Sequence, residues 1–337
     1  MTINSQNQNT LIQYNGLDVM KFVMSLCVVL IHVDAICAST YNAYIQFVIQ
    51  SAVPFFFIAS GFLIGRKFTT SDDDYSICKQ YSGKILRMYL FWIMVYTPIA
   101  VYELIINDGS IIVKLYTYAR GVLLIGEIPY SWPLWFLLAL LVSVFLIGIM
   151  RKMKIKMSII WGIGIAFMAI GYWIDTIDIN SLEGTEYLLC KAYNVIFGTT
   201  RNALFQGLGY VSTGILISKV RFTPPSLNKL IIFLCLISSV FLYYISFRYW
   251  TLLSGIALVW LSTTISLQNH NIFKVLRVHS QIIYFTHMFI IYALHKTDIT
   301  SNIFSLSILA LSMAFILSLL IHSLIKKRPL NFLQQFI

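Results

Sequence analysis

Charged side chains are scarce in this sequence. Thirteen aspartates and glutamates stand against 24 lysines and arginines in 337 residues, and all charged residues together make up 11%. A water-soluble domain keeps about a quarter of its residues charged, so this scarcity excludes a soluble globular protein. The hydrophobic share is 58% and the mean hydropathy +0.79, which makes the chain an all-α polytopic membrane protein embedded in a lipid bilayer. The net charge of +11 does not point to nucleic acid, because the cations lie between apolar runs rather than on one basic face.

Other absences narrow the chemistry. The five cysteines show no C-x-x-C spacing, so neither a zinc site nor a redox pair is indicated and no metal is expected. A disulfide between Cys37 and Cys190, both in connections assigned below to the outside, is the one pairing left open. There is no Walker loop, no G-x-G-x-x-G, no G-x-S-x-G and no H-E-x-x-H. Any chemistry must therefore use polar groups buried among apolar helices. The N-terminal stretch is polar and lacks a basic n-region, so the first span is expected to stay in the mature chain.

Apolar runs long enough to cross a bilayer fall at 17–37, 44–65, 86–106, 134–150, 157–175, 202–218, 229–247, 250–268, 280–295 and 303–325. These ten spans are expected to form one transmembrane domain over 1–337. Placing the N-terminus in the cytoplasm leaves seventeen Lys and Arg in inner connections and six in outer ones, so both termini are expected inside. The stretch 115–133 suits an interfacial or re-entrant piece. No pair of matching interrupted spans, such as inverted-repeat transporters carry, is visible.

The first span is anomalous, for it holds Lys21 and His32. Eleven residues make about three helical turns, so both project from one face about 16 Å apart along the axis. Ionisable groups inside a membrane mark functional sites by default. A neutral imidazole at His32 suits a general base, against the plainer reading of a packing histidine. Lys21 has Asp18 three residues earlier as an ion-pair partner, with snorkelling to the interface as the rival reading. His287, near the middle of the ninth span, is a second buried imidazole. In the second span Gly61 and Gly65 form a G-x-x-x-G pair, whose ordinary meaning is close helix packing. Ser60 and Pro54 beside them offer a hydroxyl and freed carbonyls. Arg66, Lys67, Lys84 and Arg87 cluster at the inner ends of spans two and three, where they serve topology and would also flank a phosphorylated cosubstrate.

These motifs resemble the integral-membrane acyltransferase-3 family. Its hallmark is an arginine, ten residues and a histidine in the first span; here Lys21, ten residues and His32 keep the spacing with lysine for arginine. Further matches are Pro54-Phe55-Phe56-Phe57 with Ser60-Gly61-Phe62, Lys84-x-x-Arg87, Leu134-Trp135-Phe136-Leu137 and Tyr284-Phe285-Thr286-His287. Through GLDVMKF at the start and TTRNALF at Thr199–Phe205 the chain is also similar to the membrane domain of the vancomycin-resistance serine racemase. The likeness does not extend to a racemase domain.

The resemblance implies an O-acetyltransferase of the bacterial inner membrane. It would move acetyl from cytoplasmic acetyl-CoA, the donor cosubstrate, to a hydroxyl of an extracytoplasmic glycan or cell-wall precursor. His32, with Lys21 and His287, is expected at the catalytic centre, His32 as base or transient acyl carrier. Arg66, Lys84, Arg87 and Lys21 are expected to hold CoA phosphates, and Ser60, Trp135, Arg201 and Asn202 to border the acceptor. Arginine is replaced by Lys21 and the family's frequent proline by Leu90, both near the expected donor side. The rival reading is a permease for a small solute such as serine, since an intramembrane lysine and histidine also suit transport.

Overall fold

In lipid a backbone can satisfy its polar groups only within the segment or within a closed barrel, so apolar runs of this length fold as helices. The computed structural model describes residues 14–37, 39–71, 73–179, 182–220, 225–297 and 302–336, and among them there is no strand. Arg221, one of the inner cations, and residues 1–13 lie outside the described residues. The helices are α1 Asn15–Ile36, α2 Ala43–Gln50, α3 Ala52–Phe68, α4 Asp74–Ile106, α5 Ile111–Arg120, α6 Leu134–Lys152, α7 Met157–Thr176 and α8 Gly184–Ile196. The remainder are α9 Leu208–Ile217, α10 Pro225–Tyr244, α11 Trp250–Thr264, α12 Asn271–Thr297 and α13 Ile303–Ile325.

Among the described residues seven stretches are long and apolar enough to cross a membrane: α1, α2 with α3, α4, α6, α7, α10 and α13. Two more expected spans, Ala203–Ile217 and Trp250–Thr264, are apolar but shorter. The remaining one, α12, has the length, but its first turns carry Lys274, Arg277 and His279. Among the described residues there is no disulfide, so Cys37 and Cys190 are not bridged.

Two spans are interrupted, which the sequence reading did not anticipate. The second breaks between α2 and α3 at Ser51. Pro54 has no N–H to give the Gln50 carbonyl, and the Ser51 hydroxyl turns to the Phe47 carbonyl at 2.9 Å and to Ser254 Oγ at 3.0 Å. The sixth begins with a π-turn at Ala203–Gly207, capped by Asn202, before α9. The stretch 115–133, expected to be interfacial or re-entrant, begins within α5, which has no buried residue and exposes Ile111, Ile112, Val113 and Leu115, and continues into a segment where Ile128 and Ser131 are buried.

Glycine does what the G-x-x-x-G pattern predicts. A Cβ on Gly61 would lie 2.1 Å from the Val211 carbonyl oxygen, and one on Gly214 would lie 2.1 Å from that of Ile58. Backbones of α3 and α9 therefore touch, as small residues allow in membranes. Helix α1 runs through the assembly against α12, α11, α13 and α3. Its start is tied by Asn15 Nδ2, which donates to the Leu267 carbonyl at 3.0 Å.

Candidate active site

The His32 end of α1 opens on a cavity of about 330 Å³. Its wall combines apolar groups, among them Val28, Val53, Phe56 and Phe136, with His32, Gln50, Gln206, Arg201 and Arg248. The α2–α3 break delivers Gln50 and Pro54 to this wall, and the π-turn delivers Gln206. Irregular backbone at membrane depth is tolerated where it lines such a cavity.

His32 stacks on His287 of α12, with ring centroids 5.2 Å apart and planes at 26°. Trp132 covers it from another side at 5.7 Å. His32 makes no side-chain hydrogen bond among the described residues, and the residue lines the cavity. His287 is different: it is fully buried, and its Nδ1 lies 2.9 Å from the Ile283 carbonyl. A carbonyl only accepts, so Nδ1 carries the hydrogen and Nε2 of the neutral ring is a bare lone pair. That Nε2 is buried without a partner among the described residues.

The Trp132 loop is held in a defined shape. Tyr130 adopts the left-handed region at φ 59°, unusual for a side-chain residue, and its ring stacks on Trp132 at 5.8 Å. One turn before His287 on α12, Tyr284 donates from Oη to the Pro133 carbonyl at 2.6 Å. This bond ties the loop to α12. In the same connection, burial pushes the Glu127 carboxyl above its ordinary range, and the Arg201 charge pulls it partly back.

At the other end of α1 the charges pair in an unexpected way. Asp18, only 3% exposed, takes a two-pronged bond from Arg277 of α12: Nε at 2.8 Å and Nη2 at 2.5 Å. The expected Asp18–Lys21 ion pair is therefore replaced, because a guanidinium fork matches both carboxylate oxygens and an ammonium does not. Lys21, half-buried, has no carboxylate within ion-pair distance among the described residues; the charges of Asp18, Arg277 and Lys84 all reach it. The result is an apolar-bordered cluster with three cations and one anion.

The other expected site residues divide between the two ends. Trp135 and Arg201 line the cavity, the Arg201 guanidinium 5.7 Å over the Trp135 ring. Asn202 does not: its oxygen caps the π-turn through the Leu204 and Phe205 amides at 3.0 Å, and its Nδ2 donates to Tyr193 Oη at 2.8 Å. Ser60 faces the Tyr81 hydroxyl, away from the cavity lining. Lys84 and Arg87 are exposed on α4, while Arg66 reaches the Ser218 carbonyl at the C-terminus of α9 at 3.5 Å. Gln50, Gln206, Arg248 and Arg277 carry roles the sequence did not suggest. The two arginines read there only as flanking charge, and the glutamines carry no pattern.

The acyltransferase domain family of the acyltransferase-3 type matches residues 14–325. The chain belongs to the acyltransferase-3 family. No curated protein and no solved structure is detectably similar to it. The family match spans the Lys21 cluster, the α1–α12 histidine pair and the cavity alike, so an acyltransferase domain holds all three. The narrower likeness to the racemase membrane domain rests on its two short motifs.

Proposed function

We propose that this membrane acyltransferase takes an acetyl group from cytoplasmic acetyl-CoA and transfers it to a hydroxyl of an extracytoplasmic glycan or cell-wall precursor, in the bacterial inner membrane. The observation that carries the reading is the His32 ring in the cavity wall, backed by the His287 lone pair. With the termini inside, the Lys21 end of α1 faces the cytoplasm and His32 faces the outer leaflet. A single helix then joins donor and acceptor sides.

The cation cluster suits the donor. With Asp18 engaged by Arg277, Lys21 and Lys84 are left to meet the phosphates of CoA, and Arg87 stands one turn further along α4. Arg66 belongs to the α3–α9 contact and serves the donor less directly. The thin pantetheine arm runs along α1 and brings the thioester to His32.

In the transfer step the acceptor oxygen attacks the thioester carbonyl while His32 takes the hydroxyl proton. The C–S bond then breaks, the acyl–oxygen bond remains, and His32 returns the proton to the departing thiolate. The products are an acetyl ester and CoA. His287 Nε2 accepts from the other nitrogen of protonated His32 once the rings turn out of their stacked arrangement, or through one water. This is the orienting partner that a general-base histidine needs.

Proteoliposomes test the reading. Acetyl-CoA supplied on the side bearing the Lys21 cluster should yield acetylated glycan on the opposite side, with release of stoichiometric CoA. Transfer only to acceptor on the donor's own side would refute the transmembrane path.

A further inference from the structure

Arg201, an exposed residue, places a guanidinium in the wall of the His32 cavity with no counter-ion among the described residues. Among the described residues no carboxylate lies within 4 Å of it; its Nε donates to Thr199 Oγ1 at 3.4 Å. The other arginine of the cavity, Arg248, is ion-paired with Asp175, which also accepts from Thr200. Glu127 senses the Arg201 charge, yet lies beyond ion-pair distance and does not line the cavity. Two arginines and one carboxylate leave one positive charge at this wall. The remaining lining is apolar or neutral and polar, so nothing in the cavity cancels it.

The guanidinium carbon of Arg201 lies 5.7 Å over the Trp135 ring, within cation–π range, and both side chains line the cavity. A planar fork in a half-apolar pocket is the arrangement that reads a carboxylate or a phosphate oxygen pair. Its charge also reaches His32, so the anion and the reacting hydroxyl would share one small chamber. We propose that the acceptor is a monoanion, a carboxylate- or phosphodiester-bearing glycan, whose charge docks on Arg201 and so presents a hydroxyl to His32. The proposal rests on the acyltransferase reading and names the acceptor class for that site.

Protection of His32 from carbethoxylation by diethyl pyrocarbonate, followed by peptide mass spectrometry on the full chain in liposomes, tests it. The probes are methyl β-glucoside, methyl β-glucuronide and glucose 6-(methyl phosphate). At least one anionic probe should protect at about a tenfold lower concentration than the neutral glucoside, the worth of one charge-assisted contact. Which anion does so identifies the source of the charge. Arg201→Gln should remove the difference and Arg201→Lys should keep part of it. Equal protection by the neutral glucoside, or a difference that survives Arg201→Gln in folded protein, overturns the proposal. The wild-type comparison needs no variant, so a misfolded Arg201→Gln leaves the test decisive. The readout also needs no acetyl-CoA. Selective protection without any acetyl transfer would refute the enzymatic reading alone, whereas transfer to neutral and anionic glycosides alike would refute the anion site alone.

Discussion

The rings of His32 and His287 face each other 5.2 Å apart, one carried by α1 and one by α12, and His287 keeps its hydrogen on the nitrogen bonded to Ile283. The proposed transfer gives His287 an orienting role. His287→Gln should lower kcat by about 10–100-fold, the usual cost of losing an outer-shell partner, with little change in KM for acetyl-CoA. Steady-state kinetics on folded protein check this, and an unaltered kcat would reduce His287 to packing.

The two-pronged Arg277–Asp18 bond clamps α12 to α1. Arg277→Met leaves a buried carboxylate without its partner, while the half-exposed position of Arg277 moderates the loss; a destabilisation of roughly 1–3 kcal/mol is expected. Adding Asp18→Asn should recover much of that loss. Thermal melting of the two singles and the double gives the coupling, and additive losses would deny the clamp.

Lys21, like Lys84 in the same cluster, has no carboxylate partner among the described residues, and donor binding should depend on it. Lys21→Ala should raise KM for acetyl-CoA by about tenfold or more, the worth of one charge-assisted contact, and leave KM for the acceptor nearly unchanged. Lys21→Arg should preserve donor binding. A rise in acceptor KM instead would place Lys21 elsewhere on the path.

Glycine substitutions should separate two environments. Gly61→Ala forces a methyl against the Val211 carbonyl and should destabilise by about 1–3 kcal/mol. Gly83, on the exposed face of α4, has nothing within 4 Å of its would-be Cβ, so Gly83→Ala should stabilise by about 0.5–1 kcal/mol. Melting curves in one detergent decide both.

Glu127 predicts a pH dependence. Burial raises its carboxyl above the ordinary value of 4.5, so the folded protein holds this proton more tightly than the unfolded chain. Its contribution to stability is therefore unfavourable at neutral pH. Stability should gain as pH falls through the raised value toward 4.5. Glu127→Gln should flatten that part of the stability–pH curve, and an unchanged curve would contradict the assignment.

Much of the architecture was legible because bilayer thickness and backbone satisfaction act locally. Apolar run length located the helices, and the Lys21–His32 spacing put both on one face of α1. The Gly61–Gly65 pair announced a close helix contact, though not that α9 would fill it. Long-range choices were hidden. Asp18 has Lys21 one turn away, yet it bonds Arg277 across 259 positions, since a fork offers two parallel bonds. Ser51 at the break bonds Ser254 across 203 positions, and Arg248 pairs with Asp175; neither partner carries a sequence signal. Asn202 stood in a family-like motif but serves the turn rather than the cavity.

The central claim is that His32 takes the acceptor proton. The rate of acetyl transfer from labelled acetyl-CoA by purified protein and by its His32→Ala variant tests it most directly. The account predicts a loss of at least about 10²-fold in kcat with an unchanged melting temperature. Undiminished transfer by folded His32→Ala would contradict it.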